Sequence, residues 1–97
     1  MIYAVKIHGL DNVATIMNDC SAGREISWSV ADGSGGTVIA SEDIPRYHKV
    51  ALCRISSGET VYKYGEKIGI ATKDIEPGEW VHVHNIKSPS ETGGNAE

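Results

Sequence analysis

The chain has 97 residues and a formal net charge of −4, so it holds one small domain and cannot contain a TIM barrel or a protein kinase. An acidic composition without a sustained basic stripe argues against nucleic acid and anionic membranes as partners. The apolar start is interrupted at Lys6, His8 and Asp11, so it predicts neither a signal peptide nor a membrane span. The two cysteines, Cys20 and Cys53, are too few for a disulfide scaffold and favour a reduced, cytoplasmic protein.

Short β-strands are predicted along most of the chain, because β-branched and apolar residues alternate with polar ones. The predicted strands span residues 2–8, 13–17, 25–30, 37–40, 49–52, 60–63, 68–71 and 80–84. The glycine-rich residues 31–36 predict the turn of a hairpin. Apolar residues do not recur at helical spacing, and residues 43–46 and 64–67 can form single helical turns at most. We therefore expect an all-β fold.

One turn pattern occurs three times: small or polar residues, then a glycine, then polar residues and the start of a strand. The three copies span residues 21–26, 56–61 and 76–81, with the glycine at positions 23, 58 and 78. Glycine suits a tight turn because it adopts a positive φ without steric cost. The repeat predicts a compact domain of strongly bent strands over residues 1–87, followed by a flexible polar tail at residues 88–97.

Histidines supply the first candidate site. His82 and His84 are one residue apart on a predicted strand, so their rings are expected on the same face. Two imidazoles at this spacing can bind one metal ion with a third ligand from elsewhere, and His8 is a candidate for it. A solvated strand face gives the same spacing without any ligand. Asn85 follows directly and can orient a ring or bind a substrate hydroxyl.

Cationic side chains supply the second candidate site. His48 and Lys49 follow a predicted turn that contains Arg46, and such a patch suits a small carboxylate ligand. Lys63 and Tyr64 precede a glycine, where a lysine beside other cations loses its proton more easily and can act as a base. The alternatives are a solvated turn and an ordinary hairpin loop.

Four ordered blocks of this sequence closely resemble the SAF-type amino-terminal domain of the altronate dehydratase family. The blocks are residues 7–14, 48–52, 63–71 and 78–85. The resemblance extends over residues 2–87, and the family includes galactarate dehydratase and the small subunit of sulfolactate sulfo-lyase. It implies a β-clip fold and a role in dehydrating a sugar acid, D-altronate, to 2-keto-3-deoxygluconate. It also implies a divalent metal, iron(II) or alternatively manganese.

The resemblance, together with residue type, also implies roles for individual side chains. The expected metal ligands are His8, His82 and His84. The expected carboxylate holders or proton carriers are His48, Lys49 and Lys63, and the expected substrate-binding residues are Asp11, Asn12, Tyr64 and Asn85. Because 97 residues leave little room for a complete active site, we expect a large dehydratase subunit as partner, and a homo-oligomer is compatible with this.

Two alternative functions remain open. SAF folds also serve as non-catalytic carbohydrate-binding modules, which would need no partner enzyme. The small subunit of sulfolactate sulfo-lyase keeps the enzyme class but changes the reaction to removal of sulfite. The His-x-His-Asn block at residues 82–85 favours the altronate or sulfolactate branch over the galactarate branch.

Overall fold

A computed structural model describes residues 2–30 and 33–88, and within them it contains strands and turns but no helix. The strands are β1 (Ile2–Val5), β2 (Val13–Ile16), β3 (Glu25–Ser29), β4 (Gly35–Ile39), β5 (Lys49–Ala51), β6 (Thr60–Lys63), β7 (Glu66–Ala71), β8 (Trp80–Val81) and β9 (Ile86–Lys87). The predicted all-β class is confirmed. Residues 89–97 of the predicted tail lie outside the described residues.

The strands form two sheets that share no strand. Six strands follow the order β4-β3-β1-β2-β5-β8, and three follow the order β6-β7-β9. β1 and β3 are parallel, and the other paired strands are antiparallel. Successive side chains of β2 and β5 point to opposite faces of the sheet. Ala14 and Val50 therefore lie in one apolar core, and Val13 and Ala51 lie in a second. The neighbouring strands β2 and β5 therefore contribute to both small cores.

The repeated turn is confirmed, and the structure adds a fourth copy. Gly23, Gly58 and Gly78 have φ angles of 90°, 90° and 91°, and Tyr47 occupies the same place with a φ of 71°. In all four copies the N–H of this residue donates to a carbonyl of another chain segment, with N···O distances of 2.7–2.9 Å. Residues 43–46 therefore enter this turn and do not form a helical turn.

The first strand is shorter than predicted because a carboxylate ends it. The prediction covered residues 2–8, but β1 ends at Val5, and the chain then turns so that the N–H of His8 donates to Asp11 at 3.0 Å. The same carboxylate accepts two N–H groups from residues 64–67. That segment is thus the tip of the β6–β7 hairpin and the start of β7, and the predicted helical turn there is wrong.

The last predicted strand, residues 80–84, ends at Val81. Beyond Val81, the side chain of the buried Asn85 takes the place of a neighbouring strand as hydrogen-bond partner. Its Oδ1 accepts the N–H of His82 at 2.9 Å, and its Nδ2 donates to the carbonyl of Trp80 at 2.8 Å. These bonds close a turn over residues 82–85, and the chain continues into β9, which the sequence did not predict. His82 and His84 therefore lie on a turn and do not share a strand face.

Candidate functional site: a histidine–tryptophan cluster beside two lysines

Three imidazoles surround one indole at the end of β8. The ring centroid of Trp80 lies 5.4 Å from that of His48, 5.6 Å from that of His82 and 5.2 Å from that of His84. The rings of Trp80 and His82 are stacked, with 11° between their planes. His48 and His82 meet edge to face, with centroids 4.9 Å apart. Three of the predicted histidines, His48, His82 and His84, thus come together around a tryptophan.

Strand pairing and the turn beyond β8 assemble this cluster. β8 pairs with β5, so that Trp80 lies opposite Val50, and His48 directly precedes β5. The turn closed by Asn85 then brings His82 back over the indole. The indole Nε1–H donates to Nδ1 of His48 at 3.1 Å, which requires an unprotonated Nδ1 and leaves Nε2 for other partners.

Lys49 extends the cluster towards the β6–β7 hairpin. Burial lowers the pKa of Lys49, the charge of Lys63 lowers it further, and only Tyr64 acts in the opposite direction. The ammonium of Lys63 lies 4.7 Å from the centroid of the Tyr64 ring. The structure therefore brings together the predicted residues Lys49, Lys63 and Tyr64.

The surroundings of His82 lower its pKa. Burial is the first cause that lowers its pKa, and the charges of His48, Lys49 and His84 follow as further causes. A neutral imidazole beside an ammonium group can accept a proton while the ammonium attracts an anion. The cluster is thus suited to bind a small carboxylate and to move a proton next to it.

Three residues predicted to bind substrate use their side chains inside the protein. Asp11 accepts the N–H groups of His8, Tyr64 and Gly65, which outweigh burial and lower its pKa. Asn12 donates to a carbonyl of β6 at 3.0 Å and accepts an N–H of the same strand at 2.9 Å. Asn85 holds the turn below the imidazoles, as described above. These side chains therefore position the site.

The predicted metal ligands do not form a complete set within this chain. Nδ1 of His8 accepts the N–H of Leu10 at 3.1 Å, and its ring packs against Gly65, with ring carbons 3.0 Å from where a Cβ on that glycine would lie. Over residues 2–30 and 33–88, no group of three His, Cys, Asp or Glu side chains could hold a metal ion. His8, His82 and His84 thus do not fit a divalent metal by themselves.

Sequence reasoning missed two residues of the site. Trp80 organises the imidazoles, and its role depends on the long-range pairing of β8 with β5. The turn at Tyr47 was not predicted, because tyrosine stands there in place of the glycine of the repeated turn. The sequence did indicate this turn in one way: Asp43-Ile44 precedes it, just as Asp74-Ile75 precedes the copy of the turn at Gly78.

Residues 2–89 match the family model described as the altronate/galactarate dehydratase SAF domain. The chain belongs to this family. It is 44% identical to the altronate dehydratase of Escherichia coli (strain K12) over 84 residues, which are 87% of this chain and 16% of that enzyme. The chain thus spans about a sixth of the length of that relative.

Two further relatives show the range of reactions associated with this SAF domain. The galactarate dehydratase (L-threo-forming) of Escherichia coli (strain K12) is 38% identical over 87 residues, which are 90% of this chain and 16% of that enzyme. The (2R)-sulfolactate sulfo-lyase subunit alpha of Paracoccus pantotrophus is 47% identical over 58 residues, which are 60% of this chain and 87% of that subunit. The relatives are dehydratases and lyases. None of the described residues lies in a helix that could cross a membrane.

Proposed function

We propose that this SAF domain is the small part of an altronate dehydratase, a hydro-lyase that converts D-altronate to 2-dehydro-3-deoxy-D-gluconate and water. The observation that carries the proposal is the 44% identity to an altronate dehydratase over 87% of the chain. Because the domain corresponds to only 16% of that enzyme, we propose that a large dehydratase polypeptide supplies most of the active site. The cytoplasm is the proposed location.

The reaction needs an anion-binding group and a proton acceptor, and the cluster supports both. The substrate carboxylate would lie against the ammonium groups of Lys49 and Lys63, where positive charge is concentrated. The carbon next to that carboxylate must lose a proton, and hydroxide must leave the neighbouring carbon. His82, whose pKa is lowered, is the proposed proton carrier, and Lys49 holds the carboxylate as an ammonium group. His48 holds its orientation through the indole of Trp80.

The divalent metal, iron(II) or manganese, is proposed to belong mainly to the large polypeptide. When bound, such an ion would stabilise negative charge on the substrate. Within residues 2–30 and 33–88, the side chains of this domain do not complete a ligand set for such an ion. His82 and His84 can still approach such an ion from the side of this domain.

A hybrid enzyme tests the proposal. The 84 aligned residues of the Escherichia coli altronate dehydratase would be replaced by the matching residues of this chain. The purified hybrid would then be assayed for keto-acid release from D-altronate, galactarate and (2R)-sulfolactate. Turnover of D-altronate near the parent rate supports the proposal. A folded hybrid without D-altronate turnover would contradict it.

The second candidate function is that of a sulfolactate sulfo-lyase small subunit. The specific observation in its favour is coverage, since the Paracoccus pantotrophus subunit alpha is matched over 87% of its own length. This relative supports a separate small polypeptide as the form of the protein. Sulfite release from (2R)-sulfolactate, after assembly with the large sulfo-lyase subunit, would distinguish this candidate from the altronate dehydratase.

A further inference from the structure

Two tyrosines have an unusual backbone conformation beside the cluster. Among the described residues, only Tyr47 and Tyr64 have a positive φ without being glycine, at 71° and 60°. The three other copies of the repeated turn have glycine at the place of Tyr47. Tyr64 is the first residue of the two-residue turn that joins β6 to β7, where both φ angles are positive and Asn, Asp or Gly are usual. Both positions thus favour a residue other than tyrosine.

Neither side chain compensates for this strain by packing inside the domain. Tyr47 is 62% exposed and Tyr64 is 56% exposed. Each ring is covered on one side by a cation: the Arg46 guanidinium lies 5.0 Å from the Tyr47 centroid, and Lys63 lies at 4.7 Å from that of Tyr64. Backbone strain of this kind clusters at functional positions, where the surrounding structure maintains it.

The two tyrosines flank the same site. Tyr47 directly precedes His48 in the cluster, and Tyr64 directly follows Lys63, whose charge acts on Lys49. Tyrosine and arginine are enriched among the energetically important residues of protein interfaces. Because a cation lies over one face of each ring, a complementary surface would be acidic.

We propose that Tyr47 and Tyr64 are the anchors by which this domain docks onto an acidic surface of the large dehydratase polypeptide. The occupant follows from the Escherichia coli altronate dehydratase, in which about five sixths of the enzyme lies outside the matched region. Docking through these rings closes the cluster against the large polypeptide and excludes water from it. The inference rests on the proposed function, since it takes the dehydratase polypeptide as the partner.

Tyrosine nitration by tetranitromethane tests the docking, with the isolated chain compared to the hybrid enzyme described above. We expect Tyr47 and Tyr64 to react about tenfold more slowly in the hybrid, because an interface core excludes the reagent. Tyr3, which is 44% exposed on an ordinary strand, is the internal control and should react equally in both. Equal reactivity of Tyr47 and Tyr64 in the two proteins would overturn the inference.

Substitutions give a second, independent readout. Tyr47→Gly and Tyr64→Asn relieve the backbone strain, so each should leave the Tm of the isolated chain unchanged or raise it by roughly 2–6 °C. In the hybrid, the same changes should abolish protection at the remaining tyrosine. If the hybrid is inactive but its tyrosines are protected, the proposed function is wrong and the docking is supported. If the hybrid is active but Tyr47 and Tyr64 react freely, only the docking proposal is wrong.

Discussion

Replacing Asp11 by alanine should strongly destabilise the domain. Asp11 is only 3% exposed, and its carboxylate accepts N–H groups of His8, Tyr64 and Gly65 at 3.0, 3.0 and 2.8 Å. These bonds tie the loop between β1 and β2 to the tip of the β6–β7 hairpin. The alanine variant leaves three N–H groups without their acceptor.

The expected loss follows from the number and type of these bonds. A hydrogen bond to a charged group contributes about 1.5–3 kcal/mol, and part of the loss is recovered when water reaches the freed N–H groups. We expect the free energy of unfolding to fall by about 3 kcal/mol, which lowers the Tm by roughly 12–24 °C in a domain of this size. Asp43→Ala is the matched control, because this exposed carboxylate accepts a single N–H, that of Ala22 at 2.9 Å, and its loss should cost about 1 kcal/mol.

The assay is urea unfolding followed by tryptophan fluorescence, repeated across pH. The pKa of Asp11 is lowered in the folded chain, so its contribution is complete above the unfolded value and is lost as the pH falls through the folded value. The difference between wild type and Asp11→Ala should therefore be constant near neutral pH and shrink below about pH 4. A loss at neutral pH no larger than that of Asp43→Ala would refute the reasoning.

Three further predictions concern the turns and the cluster. Gly78→Ala should lower the free energy of unfolding, measured with urea, by about 3 kcal/mol or more, because the new Cβ would lie 1.9 Å from a carbonyl oxygen of β4. In the control Gly58→Ala the new Cβ meets nothing within 4 Å, so the loss should be about 1 kcal/mol. Equal losses in the two variants would contradict this. Lys49→Met removes a cation that lowers the pKa of His82, so the pKa of His82 in an NMR titration should rise, and a fall would be inconsistent with the electrostatics. Asn85→Ala removes two buried hydrogen bonds and should cost about 2–4 kcal/mol in urea unfolding, and an unchanged midpoint would count against the role of this side chain in the turn.

Much of the fold could be predicted because β-strands leave a local signal. The alternation of β-branched residues located strands such as β2 and β6, and the glycine pattern identified three copies of the left-handed turn. The order of the strands in the sheets could not be predicted, because residues that pair, such as those of β1 and β3, are distant in sequence. The fourth turn was missed because Tyr47 occupies the glycine position.

The candidate site was predictable in its residue types but not in its geometry. Period-2 alternation placed His82 and His84 on one strand face, but the buried Asn85 ends that strand after Val81. Asn85 was expected to bind substrate, since the sequence does not indicate which amide becomes buried. Trp80 joins the imidazoles only because β8 pairs with β5.

Turnover of D-altronate by the hybrid enzyme with substitutions in the cluster tests the central claim most directly. The variants are Lys49→Met and His82→Gln, with Arg54→Met as control, because Arg54 forms its ion pairs with Asp74 and Glu76 on the surface. We predict that kcat falls about 10²-fold or more for each cluster variant and stays within about twofold for the control. Wild-type kcat in both cluster variants would contradict the claim that this domain contributes to the site of dehydration.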